Sequence, residues 1–334
     1  MNNFILVSSE YEQCNIKSHD IINIYLPKYC NTVYVNSKEA INFIINNNNK
    51  NNNIILYHHF YVKSVNEHDF HVDIIKFLHS FENILSNIVI FAFDWWRENH
   101  HRARPRREHT ELIFKAKNYK VIVNSKNLEQ LNNFHNINYN EYKDNIIFNK
   151  FWSCYNLSYL EFNYAPINKL LLSGDTCGRY PERVYLMKLS SICNSIDILP
   201  RTINKDSKNN NYNKNLNKYI ACFSSSAYLY NFSTNKCENT NVILLKTYEI
   251  LAAGSLLVMP ISEKEYVKEI GLIDNLNCCF INFNENKQDV IQQINNILNL
   301  KNINEIRKNG QKLAIEKLNS SNKFDELKNF LIKI

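Results

Sequence analysis

Short apolar runs, separated by segments with helical periodicity, organise this chain. The runs at 54–57 and 88–93 predict buried strands, and apolar positions that recur every three or four residues over 73–85 predict an amphipathic helix between them. The alternation stops near residue 150 and resumes with an apolar run at 169–172. Because strands that alternate with helices at this spacing form parallel sheets, the pattern predicts an α/β protein with two doubly wound halves.

The length of the chain agrees with two halves. Its 334 residues exceed one ordinary domain and suit two of about 150 residues each. We expect a first domain over residues 1–160, a second over 161–320, and a C-terminal helix over 321–334. The Asn-rich tracts at 46–53 and 201–218 have low complexity and predict surface loops.

The segment 241–260, NVILLKTYEILAAGSLLVMP, predicts a helix, a stop and a strand. Gly254 stands where the end of a helix needs a residue that tolerates positive φ, and the apolar run after it, closed by Pro260, predicts a strand buried on both faces. Lys246 and Glu249 are three residues apart and therefore share one face of the helix. On residue types alone two interpretations stay open: the pair is a solvated ion pair, or it belongs to a binding site.

Residues 246–260, KTYEILAAGSLLVMP, resemble the donor-site segment of GT-B glycosyltransferases, in which a Glu opens a helix that ends in Ala-x-Gly before an apolar strand. The resemblance implies two Rossmann-like doubly wound domains that face a cleft, with the nucleotide-sugar on the C-terminal domain. It implies that Glu249 holds the ribose hydroxyls and that Lys246 neutralises the diphosphate. Many retaining members carry another Glu eight positions earlier, where this chain has Asn241, which keeps hydrogen-bonding capacity without charge.

The sequence SGDTCGRYPERV is a second candidate anion site, because it joins a predicted strand to a helix N-terminus. It places Gly174 in the turn and Pro181 in the first turn of the helix. Arg179 and Arg183 flank that proline and offer planar forks of hydrogen-bond donors to phosphate oxygens. We expect Gly174 and the two arginines to bind the donor. The alternative is that the arginines are solvated or pair with Glu182.

Polar residues also follow predicted strands in both halves. In open α/β sheets, ligands bind beyond the carboxyl ends of the strands. Ser224 follows the strand predicted at 219–223, and it either binds the donor or caps a turn. His58, His59 and Asp94 hold the equivalent positions in the first half and are the candidate catalytic bases for an acceptor hydroxyl. The alternative for the histidines is that they are hydrogen-bonded loop residues.

Trp95, Trp96 and Arg97 are the candidate acceptor-side residues, because adjacent aromatic rings suit stacking on sugar faces, although they suit a core equally well. They open the most basic run of the chain, WWRENHHRARPRREH. Such a run binds an anionic acceptor, a lipid surface or nucleic acid, or is a solvated loop. A non-catalytic nucleic-acid-binding protein that uses Arg97–Arg107 is therefore one alternative function, and a GT-B fold kept as a binding module is another.

Composition and charge bear on the class of function and on the location of the protein. The net charge of +7 suits phosphate-bearing ligands but is modest for a dedicated nucleic-acid domain. No apolar run approaches the roughly 20 residues of a membrane span, and the N-terminus lacks the features of a signal peptide. We expect a cytoplasmic protein, with a peripheral position on a membrane surface left open. The resemblance implies a glycosyltransferase of the hexosyltransferase type.

The predicted reaction moves a sugar from a nucleotide-diphosphate sugar, UDP- or GDP-linked, to a hydroxyl of a glycan, lipid-linked or protein acceptor. We expect no cofactor and no metal, because fixed cations beside the diphosphate do the work of a metal ion.

Overall fold

The structure is a computed structural model, which describes residues 3–8, 26–34, 37–59, 65–81, 83–93, 115, 118–123, 139–148, 160–174, 178–199, 210–231 and 236–333. For some of these, such as 57–59, it describes the backbone alone. Two compact units divide the chain: the first comprises Met1–Trp152, Leu229–Thr240 and Phe324–Ile334, and the second comprises Ser153–Tyr228 and Asn241–Lys323. Within the described residues, no helix has the length and apolar character needed to cross a bilayer.

A six-stranded parallel sheet forms the centre of the first unit. Its strands are β1 (Asn3–Ser8), β2 (Asn31–Tyr34), β3 (Asn52–His59), β4 (Asn87–Phe93), β5 (Lys120–Val123) and β6 (Ile146–Phe148). They lie in the order β2-β1-β3-β4-β5-β6. The helices described here are α1 (Leu26–Tyr29), α2 (Ser37–Asn46) and α3 (Val65–Ser80), with short 3-10 helices at Tyr139–Glu141 and Lys143–Asn145.

A five-stranded parallel sheet forms the centre of the second unit. The strands from here on are β7 (Ile167–Ser173), β8 (Ile196–Leu199), β9 (Tyr219–Phe223), β10 (Tyr228–Asn231), β11 (Lys236–Asn239), β12 (Leu256–Pro260) and β13 (Cys279–Ile281). The sheet order is β13-β12-β9-β7-β8. The strands β10 and β11 pair separately as a two-stranded sheet, which, apart from Tyr228, belongs to the first unit.

The helices of the second unit connect and cover these strands. They are α4 (Pro181–Leu189), α5 (Asn210–Asn217), α6 (Leu245–Ala252), α7 (Lys264–Val267), α8 (Lys287–Leu298) and α9 (Ile303–Glu316), with 3-10 helices at Ile261–Glu263 and Lys268–Ile270. The last helix, α10 (Ser320–Leu331), returns to the core of the first unit, where Phe324 and Leu327 pack with residues of β1 and α1.

The central strand β12 is buried on both faces, as the sequence predicted. Leu257 and Met259 belong to one apolar cluster, whereas Leu256 and Val258 belong to the other. Side chains alternate between the two faces of a strand, so each face of the sheet has its own core. Gly254, with φ of +71°, follows the end of α6, which agrees with the predicted glycine stop.

Two elements differ from the sequence-based expectation. The tract 201–218, expected to be a loop, contains α5, because Tyr212 and Leu216 are four residues apart and both pack against the apolar cluster that includes α6. Tertiary burial therefore overrides the weak helix propensity of asparagine. The pairing of β10 with β11 was not predicted either.

Side chains of α9 hold the C-terminal end of α6. Arg307 is fully buried, and its Nε donates to the Gly254 carbonyl at 3.0 Å. Gln311 donates from Nε2 to the Ala252 carbonyl at 3.1 Å. The last carbonyls of a helix have no partner within it, so these bonds satisfy groups that burial would otherwise leave unpaired. Helix α6 is thereby fixed at one end, and its other end reaches the candidate site.

Candidate functional site

The site centres on the turn that follows β7. Ser173 ends that strand, and Gly174 has φ of +89°, a left-handed conformation that favours glycine. A Cβ atom built at Gly174 would collide with the ammonium of Lys246 and would lie 3.5 Å from Nη1 of Arg183. The turn therefore brings together three of the residues that the sequence assigned to donor binding. Lys246 and Arg183 are cations, and both lie against the backbone of Gly174, which has no side chain.

Lys246 lies in the first turn of α6, and its ammonium donates to the carbonyl of Ser173. A cation in the first turn opposes the positive end of the helix dipole, which favours anions instead. The position is therefore unfavourable for the stability of the helix. It is favourable for attracting an anionic ligand, because the helix N-terminus and the ammonium then act on the same negative charge.

Arg183 is the second cation of the turn, and its position is fixed. Only 2% of the residue is exposed, and Nη2 donates to the carbonyl of Ser225 at 3.0 Å. Its guanidinium carbon lies 4.0 Å from the centre of the Tyr180 ring. Arg179 is partly buried on the other side of Pro181, and its carbonyl accepts from the amide of Tyr228 at 2.7 Å.

Glu249 is a partly buried carboxylate one turn after Lys246. Among the described residues, none donates a hydrogen bond to it or forms an ion pair with it. Burial raises the pKa of Glu249 to about 7, against the opposing effect of the Lys246 charge. A partly buried carboxylate with a perturbed pKa beside a cation is typical of a ligand site.

Tyr212 on α5 joins this group, although no sequence pattern assigned it a role. Its hydroxyl lies 3.1 Å from Oγ of Ser173. Burial raises the pKa of Tyr212, and the negative charge of Glu249 raises it further. The only signal for this residue in the sequence is its spacing of four from Leu216 within an otherwise polar tract.

The serines after β9 lie inside the second unit. Ser224 has no exposed surface, and its hydroxyl lies 3.0 Å from Oγ1 of Thr247, which ties the end of β9 to α6. Of the two interpretations of Ser224, donor binding or a turn cap, this bond agrees with a structural role at the end of β9. The amide of Ser226 donates to the buried carboxylate of Glu263 at 2.6 Å, which fixes the same loop from behind.

Glu182 is buried beside this loop and does not face solvent. Its Oε1 accepts from the hydroxyl of Tyr228 at 2.5 Å, and burial raises its pKa, an effect that the neighbouring Arg183 charge reduces. Among the described residues, none hydrogen-bonds its Oε2. Glu182 therefore supports the loop after β9, and it leaves Arg183 directed toward the Gly174 turn.

Asn241 precedes α6 in a left-handed conformation, with φ of +51°. Asparagine populates this region more readily than residues with longer side chains, including glutamate. The backbone at this position therefore favours Asn over Glu, which agrees with the presence of Asn241 where many retaining GT-B members carry their first Glu.

Several predicted residues fall outside what the structure describes. Asp94, Trp95, Trp96 and Arg97, with the basic run that they open, are not among the described residues. His58 and His59 form the end of β3, but only their backbone is described. Among the described residues, no cluster of His, Cys, Asp and Glu could hold a metal ion.

Gly174→Ala should lower the free energy of unfolding by about 1–3 kcal/mol, because the left-handed backbone strains a residue with a Cβ and the methyl group displaces the Lys246 ammonium. Urea denaturation measures this change. Gly178→Ala is the matched control, since nothing lies within 4 Å of a Cβ at that position. Equal costs for the two substitutions would contradict the account of the turn.

Glu249→Gln should change the pH dependence of stability. The raised pKa means that the folded state binds this proton more tightly than the unfolded state, so wild-type stability falls as the pH rises from 4.5 toward 7. The free energy of unfolding of E249Q relative to wild type should therefore increase by about 1–3 kcal/mol between pH 5 and pH 8.

Urea denaturation at both pH values checks this expectation. Glu316→Gln, at an exposed position on α9, is the control for removing one carboxylate. A difference between E249Q and wild type that stays constant with pH would show that Glu249 is not perturbed by its surroundings.

Comparisons with known proteins rest on the fold. No protein-family model matches the sequence, and no curated protein matches it. Among solved structures, HepE from Anabaena, in complex with UDP and glucose, matches with a TM-score of 0.58 and 10% identity over 100% of both chains. A glycosyltransferase from Rickettsia africae matches with a TM-score of 0.51 and 10% identity over 99% of this chain and 98% of that one.

The pneumococcal O-GlcNAc transferase GtfA, in complex with UDP and GlcNAc, has a TM-score of 0.50 and 10% identity over 88% of this chain. This chain spans 59% of the GtfA chain. At such identities the likeness establishes the fold alone. The chain has the α/β, GT-B fold of these glycosyltransferases, with two Rossmann-like units, as the resemblance of residues 246–260 implied.

Proposed function

We propose that this protein is a glycosyltransferase that uses a nucleoside-diphosphate sugar, UDP-linked in the first instance, as its donor. The observation that carries the proposal is the convergence of Lys246 and Arg183 on the turn at Gly174, with the carboxylate of Glu249 one helical turn after Lys246. The cations suit a diphosphate, and the carboxylate suits sugar hydroxyls. Structures of HepE and GtfA, which share the fold, hold UDP together with glucose or GlcNAc.

The cations would act on the leaving group. When the bond between the sugar and the diphosphate breaks, negative charge accumulates on the diphosphate, and fixed positive charge beside it lowers the barrier. Arg183 is held rigidly by Ser225 and Tyr180, so it needs little reorganisation. Lys246 would donate to a phosphate oxygen, and the absence of a side chain at Gly174 lets the diphosphate approach the backbone. Arg179 would add a third positive charge at the same helix N-terminus.

Glu249 would bind the ribose. An ionised carboxylate accepts hydrogen bonds from two hydroxyls, and the described residues leave that capacity unused. Because burial raises the pKa of the carboxyl group, donor binding would favour its ionised form and release a proton near neutral pH. Asn241, at the start of the segment before α6, would hydrogen-bond the sugar.

The acceptor half of the reaction rests on sequence alone. We propose Asp94, His58 or His59 as the base that takes the acceptor proton, and Trp95, Trp96 and Arg97 as acceptor contacts. The acceptor would be a glycan, a lipid-linked intermediate or a protein hydroxyl, and a hexose is the expected transferred sugar. The nucleic-acid alternative depends on Arg97–Arg107, which lies outside the described residues, and it gives no account of the site at Gly174.

Isothermal titration with UDP-glucose tests the proposal. Wild type should bind it, and Glu249→Gln and Lys246→Ala should each weaken binding by roughly 10- to 100-fold, because each removes charge-assisted hydrogen bonds. Lys312→Ala and Glu316→Gln remove the same charges from an exposed pair on α9 and should leave binding unchanged. A wild type that binds neither UDP-glucose nor GDP-glucose, but binds nucleic acid with steep salt dependence, would support the nucleic-acid alternative.

The pH dependence of UDP-glucose affinity is a second test of the proposal. UDP-glucose has no terminal phosphate and therefore lacks the phosphate ionisation near pH 6 that UDP carries. Wild-type affinity for UDP-glucose should rise from pH 6 to pH 8 as Glu249 ionises, whereas the E249Q profile should be flat. Binding without release of UDP in the presence of acceptors would favour a non-catalytic binding module over an enzyme.

A further inference from the structure

Helix α5, within the Asn-rich tract at 201–218, places one tyrosine at the candidate site. The hydroxyl of Tyr212 lies 3.1 Å from Oγ of Ser173, the last residue of β7. Ser173 is 1% exposed, and the bond is partly buried. The next residue along the chain is Gly174, whose left-handed conformation forms the turn.

Ser173 connects the two sides of the site. Its carbonyl accepts from the ammonium of Lys246, and its hydroxyl pairs with Tyr212. Ser173, which precedes the turn, is therefore held by α6 through its backbone and by α5 through its side chain. Rotation of the Ser173 backbone would move its carbonyl, which belongs to the peptide that leads into Gly174.

Electrostatics place Tyr212 beside the remaining members of the site. The negative charge of Glu249 adds to the effect of burial in raising the pKa of Tyr212, and the positive charge of Arg183 opposes it. The hydroxyl therefore lies within electrostatic range of both the carboxylate and the guanidinium that we assign to the donor.

The helix that carries Tyr212 is firmly attached to the second unit. Leu216 is fully buried, and its carbonyl accepts from the hydroxyl of Ser255 at 2.6 Å. Asn217 donates from Nδ2 to the carbonyl of Ala253 at 2.7 Å. Hydrogen bonds join α5 to the segment between α6 and β12. Tyr212 and Glu249 therefore lie on two helices that are bonded to each other through this segment.

We propose that Tyr212 is a positioning residue of the donor site, which acts through Ser173 to hold the Gly174 turn in the conformation that receives the diphosphate. The inference rests on the proposed function and adds a residue that nothing in the comparisons assigns. It also gives a role to the Asn-rich tract, because that tract supplies the helix on which the tyrosine stands.

Binding of UDP and of uridine to Tyr212→Phe, Ser173→Ala and the double variant tests the inference. Tyr212→Phe removes the hydroxyl and keeps the ring, so UDP affinity should fall by about 3- to 10-fold, the effect of one hydrogen bond. Uridine, which has no diphosphate, should bind within about twofold of wild type in ligand-observed NMR. A general loss of structure would weaken both ligands alike.

The double variant shows whether Tyr212 acts through Ser173. If it does, Ser173→Ala should reproduce the loss, and Y212F/S173A should bind UDP no more weakly than either single variant. Tyr219→Phe is the matched control, because its hydroxyl bonds Asp197 at 3.2 Å and its ring packs on the same apolar cluster. It should bind UDP as wild type does.

The outcomes separate the two proposals. Wild type that binds UDP while Tyr212→Phe binds it equally well overturns the role of Tyr212 and leaves the proposed function intact. Losses in Tyr212→Phe and Ser173→Ala that add in the double variant also overturn it, since the two residues would then act independently. Wild type without affinity for UDP or GDP overturns the proposed function, and the inference with it.

Discussion

The contact between the ammonium of Lys246 and the carbonyl of Ser173 is the interaction on which the candidate site depends. It joins the first turn of α6 to the carboxyl end of β7, and it closes over a glycine that has no room for a side chain. Residues distant in the sequence then become neighbours. Arg183 approaches from α4, Glu249 from the next turn of α6, and Tyr212 from α5.

The rest of the second unit keeps these elements in register. The strand β12 has a core on each face, so neither face can shift without exposing apolar surface. Arg307 and Gln311 hold the far end of α6, and the Ser224–Thr247 bond holds its beginning against β9. The cation at the start of α6 opposes the helix dipole, and a packed scaffold of this kind is what allows the structure to keep it there.

Much of this arrangement could be predicted from local sequence signals. The apolar run before Pro260 specifies a buried strand because few other environments accept it. Gly254 and Gly174 mark turns because their backbones take positive φ. The spacing of Lys246 and Glu249 puts them on adjacent turns of one helix, and the turn and helix start around Pro181 indicated Arg183 as a phosphate ligand.

The remaining features depend on tertiary contacts that local patterns do not encode. Nothing near Tyr212 in the sequence indicates that α5 packs against α6, because the two apolar residues of that helix, Tyr212 and Leu216, give too weak a periodicity. The position of Ser224 after a strand left open whether it binds the donor or caps a turn. The structure turns its hydroxyl inward to Thr247, since a buried hydroxyl needs a partner. The clustering of Lys246, Arg183 and Glu249 required the sheet order itself, which places β7 beside β9 and β9 beside β12.

A crystal structure of the protein with UDP bound is the most direct test of the account. Diphosphate oxygens should lie at the Gly174 turn within hydrogen-bonding distance of the Lys246 ammonium, and ribose hydroxyls should contact the carboxylate of Glu249. UDP bound elsewhere on the chain, with Lys246 still on the Ser173 carbonyl and Glu249 without a ligand, would contradict it.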